Sequence, residues 1–396
     1  MKLFITDKRA SSVYYNGNFY DTNKKIEMGF SDAFRMSLLH SCNAIYPKVF
    51  YDKTLFENNA YTILQDVDLT SGFGGVAYNL IKKSPGHKIT LAGNVFGVSD
   101  GTIIAAKNRE IQQQSGAVWH QQPKERWTKT PFERNIAIVP FETTRAPASW
   151  KFYINGFDAL FVPCEQNVQL FRDSGVTIPI EVIHWGIDPA LFAPITRPKR
   201  SIFTIGTMGS LSVRKGTDIL IEAFLEAFPK ERDVRLLCKT SNNYWQFGMR
   251  DKRIKVITLP VSHEELLKEF FYETDLFVFP TRGEGFGIPP LEVAATGIPS
   301  IVTNWSGPKD YLTDEMGWKL EYTMEPAKDF TEHIYKEDCG DWAKPSKEHL
   351  VHLLRYAYEH QDEVREKGKT AAEYIQREWL WEKRIKEYHT ALSKYL

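Results

Sequence analysis

The chain has no paired cysteines and no surplus of charge of either sign. Its four cysteines, Cys42, Cys164, Cys238 and Cys339, lie far apart with no C-x-x-C spacing. That argues against a zinc ribbon and against a disulfide framework, and it suits a reducing compartment. Lysine plus arginine (50) equals aspartate plus glutamate (50), so the formal net charge is zero. Proteins held by phosphate-backbone attraction usually carry a basic excess, so nucleic acid is not the expected partner. No run of about 18 apolar residues is present to span a bilayer. The segment Met1–Asp7 has too short an apolar run for a signal peptide. A cytoplasmic protein is expected, with peripheral membrane contact left open. No stretch has the composition of a disordered tail, and no repeat of 20–50 residues is visible.

What is present is enough apolar material for two domains: 396 residues, 42% of them hydrophobic. From Tyr61 onward short apolar runs alternate with amphipathic segments, the pattern of βαβ units and a parallel sheet. Strands are predicted at 61–66, 88–92, 117–120, 135–140, 159–163 and 181–184, with helices at 76–83 and 166–173. A polar, proline-bearing stretch, 195–200, reads as a linker. The alternation then restarts, with strands at 201–207, 234–239, 255–259, 276–280 and 300–304. Helices are predicted at 217–228, from a Ser262/Glu265 capping box to 273, at 289–296, and from about 348 onward. Residues 1–60 do not fit the alternation and read as an N-terminal elaboration, with a hairpin around Asn16-Gly17. The first domain therefore covers 61–194 and the second 195–374.

Three segments carry candidate chemistry. In Pro280-Thr-Arg-Gly-Glu-Gly-Phe-Gly-Ile-Pro-Pro-Leu-Glu292 a strand runs into a glycine loop and then a helix. Glycines let a backbone approach a ligand, and a helix N-terminus offers free N–H groups to a phosphate. Glu284 in the loop and Glu292 in the first helical turn would then face one crevice, suited to hydroxyl groups of a sugar and a ribose. Alternatively Glu292 only complements the helix dipole and the glycines only make a turn. Arg214-Lys215-Gly216 sits directly before a helix, where cations are disfavoured unless an anion lies between them and the helix end. Two solvated surface cations are the alternative. Ser71-Gly-Phe-Gly-Gly75, between strand and helix, is a weaker phosphate candidate, and a tight βα turn serves equally well. The loop Thr240–Trp245 could flank a base but reads as an ordinary polar loop. No D-x-D signature of a metal-held donor stands out.

Taken in order, these segments resemble a glycosyltransferase of the GT-B fold, similar to the retaining family 4 ("group 1") enzymes. Glu284 through Glu292 match the paired-glutamate E-G-F-G-x-x-x-x-E motif. Ala295–Pro299 resembles the A-x-G-x-P turn, and Ser306-Gly307 the glycine turn after it. His184-Trp-Gly-Ile-Asp188 with Phe192 and Pro194 resembles the interdomain crossover, and Asp158 with Val162-Pro-Cys164 the strand before it.

The resemblance implies an α/β architecture of two Rossmann-like domains with parallel sheets facing across a cleft. A C-terminal helix, about 375–396, would complete the first domain. It implies transfer of a hexosyl group from a nucleotide-diphosphate sugar to a hydroxyl acceptor (glycan, lipid-linked or small molecule), with retention and without metal or cofactor. Arg214 and Lys215 would hold the diphosphate and Glu292 the ribose. Glu284, with Gly285, Phe286, Gly287 and Ile288, would meet the sugar. Gly72, Gly74 and Gly75 would form the N-terminal glycine loop. Two departures stand out. Ser210 replaces an arginine common after Gly209. The family's H-E-P-like histidine segment aligns either with Phe141-Glu142-Thr143 or with the His120 segment; the first is the closer alignment, and His120 stays a candidate catalytic residue. A sugar-nucleotide epimerase, a nucleotide-sugar-binding module without catalysis and a nucleic-acid base glycosyltransferase are the alternative functions.

Overall fold

The computed structural model describes residues 2–6, 12–15, 18–21, 26–29, 43–45, 60–67, 72–111, 116–125, 127, 130, 132–240, 251–258 and 263–396. Strands β1 (Lys2–Thr6), β4 (Ile26–Gly29) and β5 (Asn43–Ile45) form a small antiparallel sheet, and β2 (Ser12–Tyr15) pairs with β3 (Asn18–Asp21). The register Tyr15↔Asn18 fits the expected hairpin; Asn16 and Gly17 themselves lie outside the described residues.

Two six-stranded parallel sheets follow. The first holds β6 (Ala60–Leu64), β7 (Lys88–Leu91), β8 (Gly116–Trp119), β9 (Asn135–Ile138), β10 (Ala159–Val162) and β11 (Ile180–Val182), in the order β11-β10-β9-β8-β6-β7. The second holds β12 (Phe203–Met208), β13 (Val234–Thr240), β14 (Ile254–Thr258), β15 (Leu276–Phe279), β16 (Ser300–Thr303) and β17 (Gly317–Leu320), in the order β14-β13-β12-β15-β16-β17. The central strands are buried along their whole length because helices cover both faces, which is why they read as unbroken apolar runs. β17 was not predicted: its two central residues are only half-buried, so Gly-Trp-Lys-Leu lacks an apolar run. A two-stranded ribbon, β18 (Tyr322–Pro326) and β19 (Asp341–Pro345), closes the strand count.

The helices are α1 (Gly72–Lys82), α2 (Gly101–Asn108), α3 (Trp150–Ile154), α4 (Glu165–Asp173), α5 (Thr217–Ala227), α6 (His263–Leu266), α7 (Ile288–Ala295), α8 (Lys328–Tyr335), α9 (Lys347–Glu359), α10 (Gln361–Glu378) and α11 (Trp381–Leu392). α2 was missed because only Ile103 and Ala106 are buried along it. Its signal is the cap, Asp100 accepting from the Thr102 N–H at 2.9 Å. α6 runs into a π-helical turn, Leu267–Phe271, where a regular helix was expected, and Ser262 of the capping box lies outside the described residues.

The chain crosses between the sheets twice, first through the linker and again before α11. There Leu380 bridges Ile187, Ile187 N–H donates to Trp379 O at 2.9 Å and Trp381 N–H to Ile187 O at 3.1 Å. α11 then packs on the first sheet. Ile385, Tyr388 and Leu392 are buried in the same core as Tyr61 and Phe161, and His389 Nε2 lies 2.8 Å from Ser84 Oγ. At the crossing a Cβ on Gly186 would stand 2.7 Å from Trp381 N, so only glycine lets the two backbones meet there.

Candidate functional site

In an open parallel sheet, ligands bind beyond the strand C-termini where the strand order reverses. In the second sheet that point lies between β12 and β15. The segments leaving it are Gly209–Gly216 and Pro280–Gly287, which contain the strongest sequence candidates. Each is shaped by close packing. Gly216 (φ 68°) caps α5, and a Cβ there would come within 1.8 Å of Pro280 O. Gly287 (φ 87°) caps α7. Tyr311 hydroxyl donates to Gly287 O at 2.6 Å, and Ser306 hydroxyl donates to Glu284 O. Across the cleft a Cβ on Gly283 would lie 2.2 Å from Glu142 O, and one on Gly285 2.4 Å from Pro140 Cβ. The glycines of this loop therefore let it press against the segment that follows β9 of the first sheet.

Glu284 is buried at the centre of a charge cluster. Its Oε1 accepts from Lys215 Nζ at 2.6 Å, Thr281 Oγ1 at 3.0 Å and Arg214 Nη1 at 3.2 Å. Arg214 Nη1 also donates to Gly283 O at 2.7 Å. Burial works against ionisation of Glu284, but Lys215 and Arg214 outweigh it and hold its pKa below the usual value. An anion does lie beside Arg214-Lys215: the Glu284 carboxylate. Burial lowers the Lys215 pKa, with Glu284 opposing it, and the dipole at the start of α5 adds positive potential beside the pair. Glu142 faces the same cluster from the first sheet. Burial raises its pKa, Arg214 and Lys215 oppose that, and Glu284 adds to it. Sequence reasoning missed Thr281, and also Arg282, whose guanidinium grips Asp218 of α5 in two bonds of 2.9 and 2.8 Å.

α7 begins at Ile288, so Glu292 is its fifth residue, and the first turn holds no acid. That corrects the first-turn placement and removes the dipole explanation, since the effect fades beyond one turn. Burial pushes Glu292 up to about 7, with Lys239 pulling the other way. Lys239, at the end of β13, was also missed; a lone lysine closing a strand carries no sequence signal. Burial raises the Tyr311 pKa, and Glu284, Asp310 and Glu292 add to it, so both carboxylates act on this hydroxyl. Ser210 is half-buried beside Gly209, whose φ of 137° admits glycine most easily. Residues 241–245 of the loop after β13 lie outside the described residues.

The raised Glu292 pKa fixes a sign. The folded state holds this proton between about pH 4.5 and 7, where the unfolded chain has lost it. The residue therefore costs nothing below that window and destabilises the fold increasingly as pH rises through it. Ligand-free Glu292→Gln is expected to melt with wild type near pH 4.5 and above it at pH 8, by at most about 3 kcal/mol. Thermal melts at the two pH values check this, and a pH-independent gap would contradict it.

In the first sheet the strand order reverses between β6 and β8. Gly72, Gly74 and Gly75 are the first turn of α1 here, where a loop was expected. Ser71 lies outside the described residues. His120, just after β8, is fully buried, 4.9 Å from the Phe73 ring and 5.8 Å from Trp185 between centroids. Neither ring nitrogen has a hydrogen-bond partner among the described residues, and burial lowers its pKa to about 3, so it is neutral. Trp185 in turn meets Phe286 at 5.7 Å. Of the two alternatives, Glu142 stands at the charge cluster, and His120 stands at the far end of an aromatic chain leading to the loop. Asp66-Val67-Asp68 does have D-x-D spacing, which the sequence reading passed over. Asp66 Oδ1 accepts from the Asn94 N–H at 2.7 Å, and Asp68 lies outside the described residues. Among the described residues no group of three or more His, Cys, Asp or Glu side chains is arranged to hold a metal ion.

The cleft is stapled on one side. Thr143 Oγ1 donates to Cys339 O at 2.8 Å, Thr144 N–H to Asp341 O at 2.9 Å and Arg145 N–H to Cys339 O at 3.1 Å. These bonds tie the Glu142 segment to the turn between α8 and β19. On the other side His184 Nε2 lies 3.1 Å from Asp310 Oδ2, which also accepts from Glu165 N–H at 2.9 Å.

Residues 202–336 match the family model for glycosyl transferases group 1, and they contain Arg214, Lys215, Glu284 and Glu292. Two similar curated proteins are lipopolysaccharide core biosynthesis mannosyltransferases. LpcC of Rhizobium leguminosarum bv. viciae is 24% identical over 202 residues, 45% of this chain and 56% of that protein. LpsB of Rhizobium meliloti is 26% identical over 183 residues, 40% of this chain and 49% of that protein. The match thus spans about half the length of these relatives. Among solved structures, sucrose-phosphate synthase from Thermosynechococcus elongatus superposes with a TM-score of 0.61 at 13% identity, covering 85% of this chain and 98% of that one. Anabaena HepE in complex with UDP-glucose gives 0.61 at 12% identity, covering 85% and 99%. At such identities the likeness speaks for the fold, which is GT-B: two Rossmann-like α/β halves.

Proposed function

We propose that this chain is a glycosyltransferase that moves a hexosyl group from a nucleotide-diphosphate sugar to a hydroxyl acceptor, with retention and without a metal. The observation that carries the reading is the meeting of Arg214, Lys215 and Glu284 at one switch point with Glu142 opposite them. In the reaction the bond from the anomeric carbon to the diphosphate oxygen breaks, and the electron pair leaves with the phosphate. Arg214, Lys215 and the start of α5 stabilise that charge. The acceptor hydroxyl forms the new bond on the same face and passes its proton to the leaving phosphate. Glu284 orients the sugar through its second oxygen and the loop N–H groups, and Glu292 takes the ribose hydroxyls. Positioning by two facing halves supplies the remainder.

Support for the sugar donor comes from the group 1 match and from the UDP-glucose bound to HepE; support for a glycan acceptor comes from the mannosyltransferase relatives. We place the protein in the cytoplasm, in keeping with Cys164, Cys238 and Cys339, all free and buried. No helix among the described residues is long and apolar enough to cross a membrane.

A thermal-shift screen of UDP-, GDP- and ADP-sugars on wild type and Glu292→Ala tests the donor site. One nucleotide class is expected to raise the wild-type melting temperature and to lose that effect in the variant. No shift with any of them at millimolar concentration would remove the donor assignment. Incubation of the bound donor without acceptor separates transfer from epimerisation, which alone would convert the sugar there.

A further inference from the structure

The switch-point cleft uses the C-terminal ends of β12 and β15. A cavity of about 590 Å³ opens at the other end of the same strands, lined by Phe203 and Asp275, the linker, and α10. Its charge is lopsided: Arg197, Lys199 and Arg200 of the linker and Arg365 and Lys369 of α10 face Asp275 and Glu373. Of the two carboxylates Asp275 is engaged, and it is also a counter-charge to Arg197 and Arg200. Asp275 Oδ2 accepts from the Thr204 N–H at 2.8 Å, and Glu273 nearby pairs with both Arg200 and Arg235. Arg197 reaches Gly297 O with Nη2, and Arg365 reaches the exposed Asp362. Arg197 Nη1 and Arg200 Nη1 are both buried without a hydrogen-bond partner among the described residues. Buried charged donors left unpaired are costly, both arginines line this cavity, and guanidinium groups are satisfied by an oxyanion.

From this geometry we infer a second anion site, at the hinge, that binds a phosphomonoester carrying a short apolar portion. The phosphate bonds the two guanidinium groups, Lys199 and Lys369 supply flanking charge, and the apolar part lies along Pro194, Ile195 and Ile202. The location gives it a role. The linker is the first crossing between the two sheets and α10 leads directly into the second, and Gln376 already ties α10 to Phe192 O at 2.7 Å. A ligand bridging linker and α10 therefore clamps both crossings together and biases how the halves close.

Isothermal calorimetry of the full chain with hexyl phosphate tests this, because that probe has no nucleoside for the donor cleft. One binding event is expected, weakened at least tenfold in the R197Q/R200Q variant and unchanged in Lys215→Ala. K199Q/K369Q, whose lysines make no hydrogen bond or ion pair among the described residues, gives a smaller loss and serves if the arginine variant does not fold. Absence of binding, retention in both hinge variants, or loss in Lys215→Ala overturns the site. Co-sedimentation with phosphatidylcholine vesicles containing phosphatidic acid, abolished in the same variants, would identify a lipid headgroup as the source. Binding in solution without co-sedimentation identifies a soluble metabolite.

Discussion

Lys215→Ala is expected to lower kcat/KM for sugar transfer by roughly 10²–10³-fold, the cost of losing one donor to a developing oxyanion. Lys215 is well placed for that role. Its ammonium is 2.6 Å from Glu284 Oε1 and 4.9 Å from the centre of the Phe279 ring, and its side chain is 14% exposed. Such a site contains little water, so the charge acts at full strength on the leaving phosphate. The same substitution takes the shortest bond away from buried Glu284. Arg214 and Thr281 still donate to that oxygen, so the expected stability loss is moderate, about 1–3 kcal/mol. Steady-state release of nucleoside diphosphate, paired with thermal melts, separates the two effects. A variant that folds and retains kcat/KM close to wild type would remove Lys215 from the transfer step.

The second large effect comes from a methyl group. In Gly283→Ala the new Cβ would sit 2.2 Å from Glu142 O, closer than Cβ atoms are found, so loop and facing segment must part by about 1 Å. A misplacement of that size in a positioning site costs on the order of 10²-fold in rate. The stability cost of such overpacking is about 1–3 kcal/mol. The staple from Thr143 and Thr144 to residues 339–341 resists the separation, which concentrates the strain at the cleft. Gly75→Ala is the natural contrast. It lies in α1, where an added methyl group would meet nothing within 4 Å among the described residues, and alanine there should stabilise by about 0.5–1 kcal/mol. Equal melting temperatures and rates for Gly283→Ala and wild type would show that the two halves do not need this contact.

Most strands were legible because both faces of each parallel sheet are covered, so burial writes itself as a run of apolar residues. Helices followed where they carry one apolar stripe, as in α5. What failed did so for physical reasons. β17 is an edge strand with half-buried centre residues, and α2 buries only two side chains, so neither has a periodicity to read. The first turn of α1 looked like a loop because its glycines carry no side chains to show a pattern. At the site, Glu284, Glu292, Arg214 and Lys215 were visible as motif residues. Their pairing was not: that Glu284 supplies the counter-charge to Arg214 and Lys215 depends on two switch-point segments about 70 residues apart. Lys239 and Thr281 belong to the same class, single polar residues whose meaning exists only once the sheet has brought them to one end.

The return of α11 to the first sheet has a consequence for how the molecule is made. The contact between Ser84 and His389 spans 305 residues, and Leu396 covers Gly116 at the base of β8. At ribosomal speeds of about 5–20 residues per second, the half synthesised first, complete near residue 194, waits roughly 10–40 s for the segment that finishes its core. During that interval Tyr61 and Phe161 lack part of their apolar cover, while the core of the second half is closed by residues up to Val364, ahead of α11. Assembly therefore runs against the direction of synthesis, and the early half is the one that needs protection from aggregation.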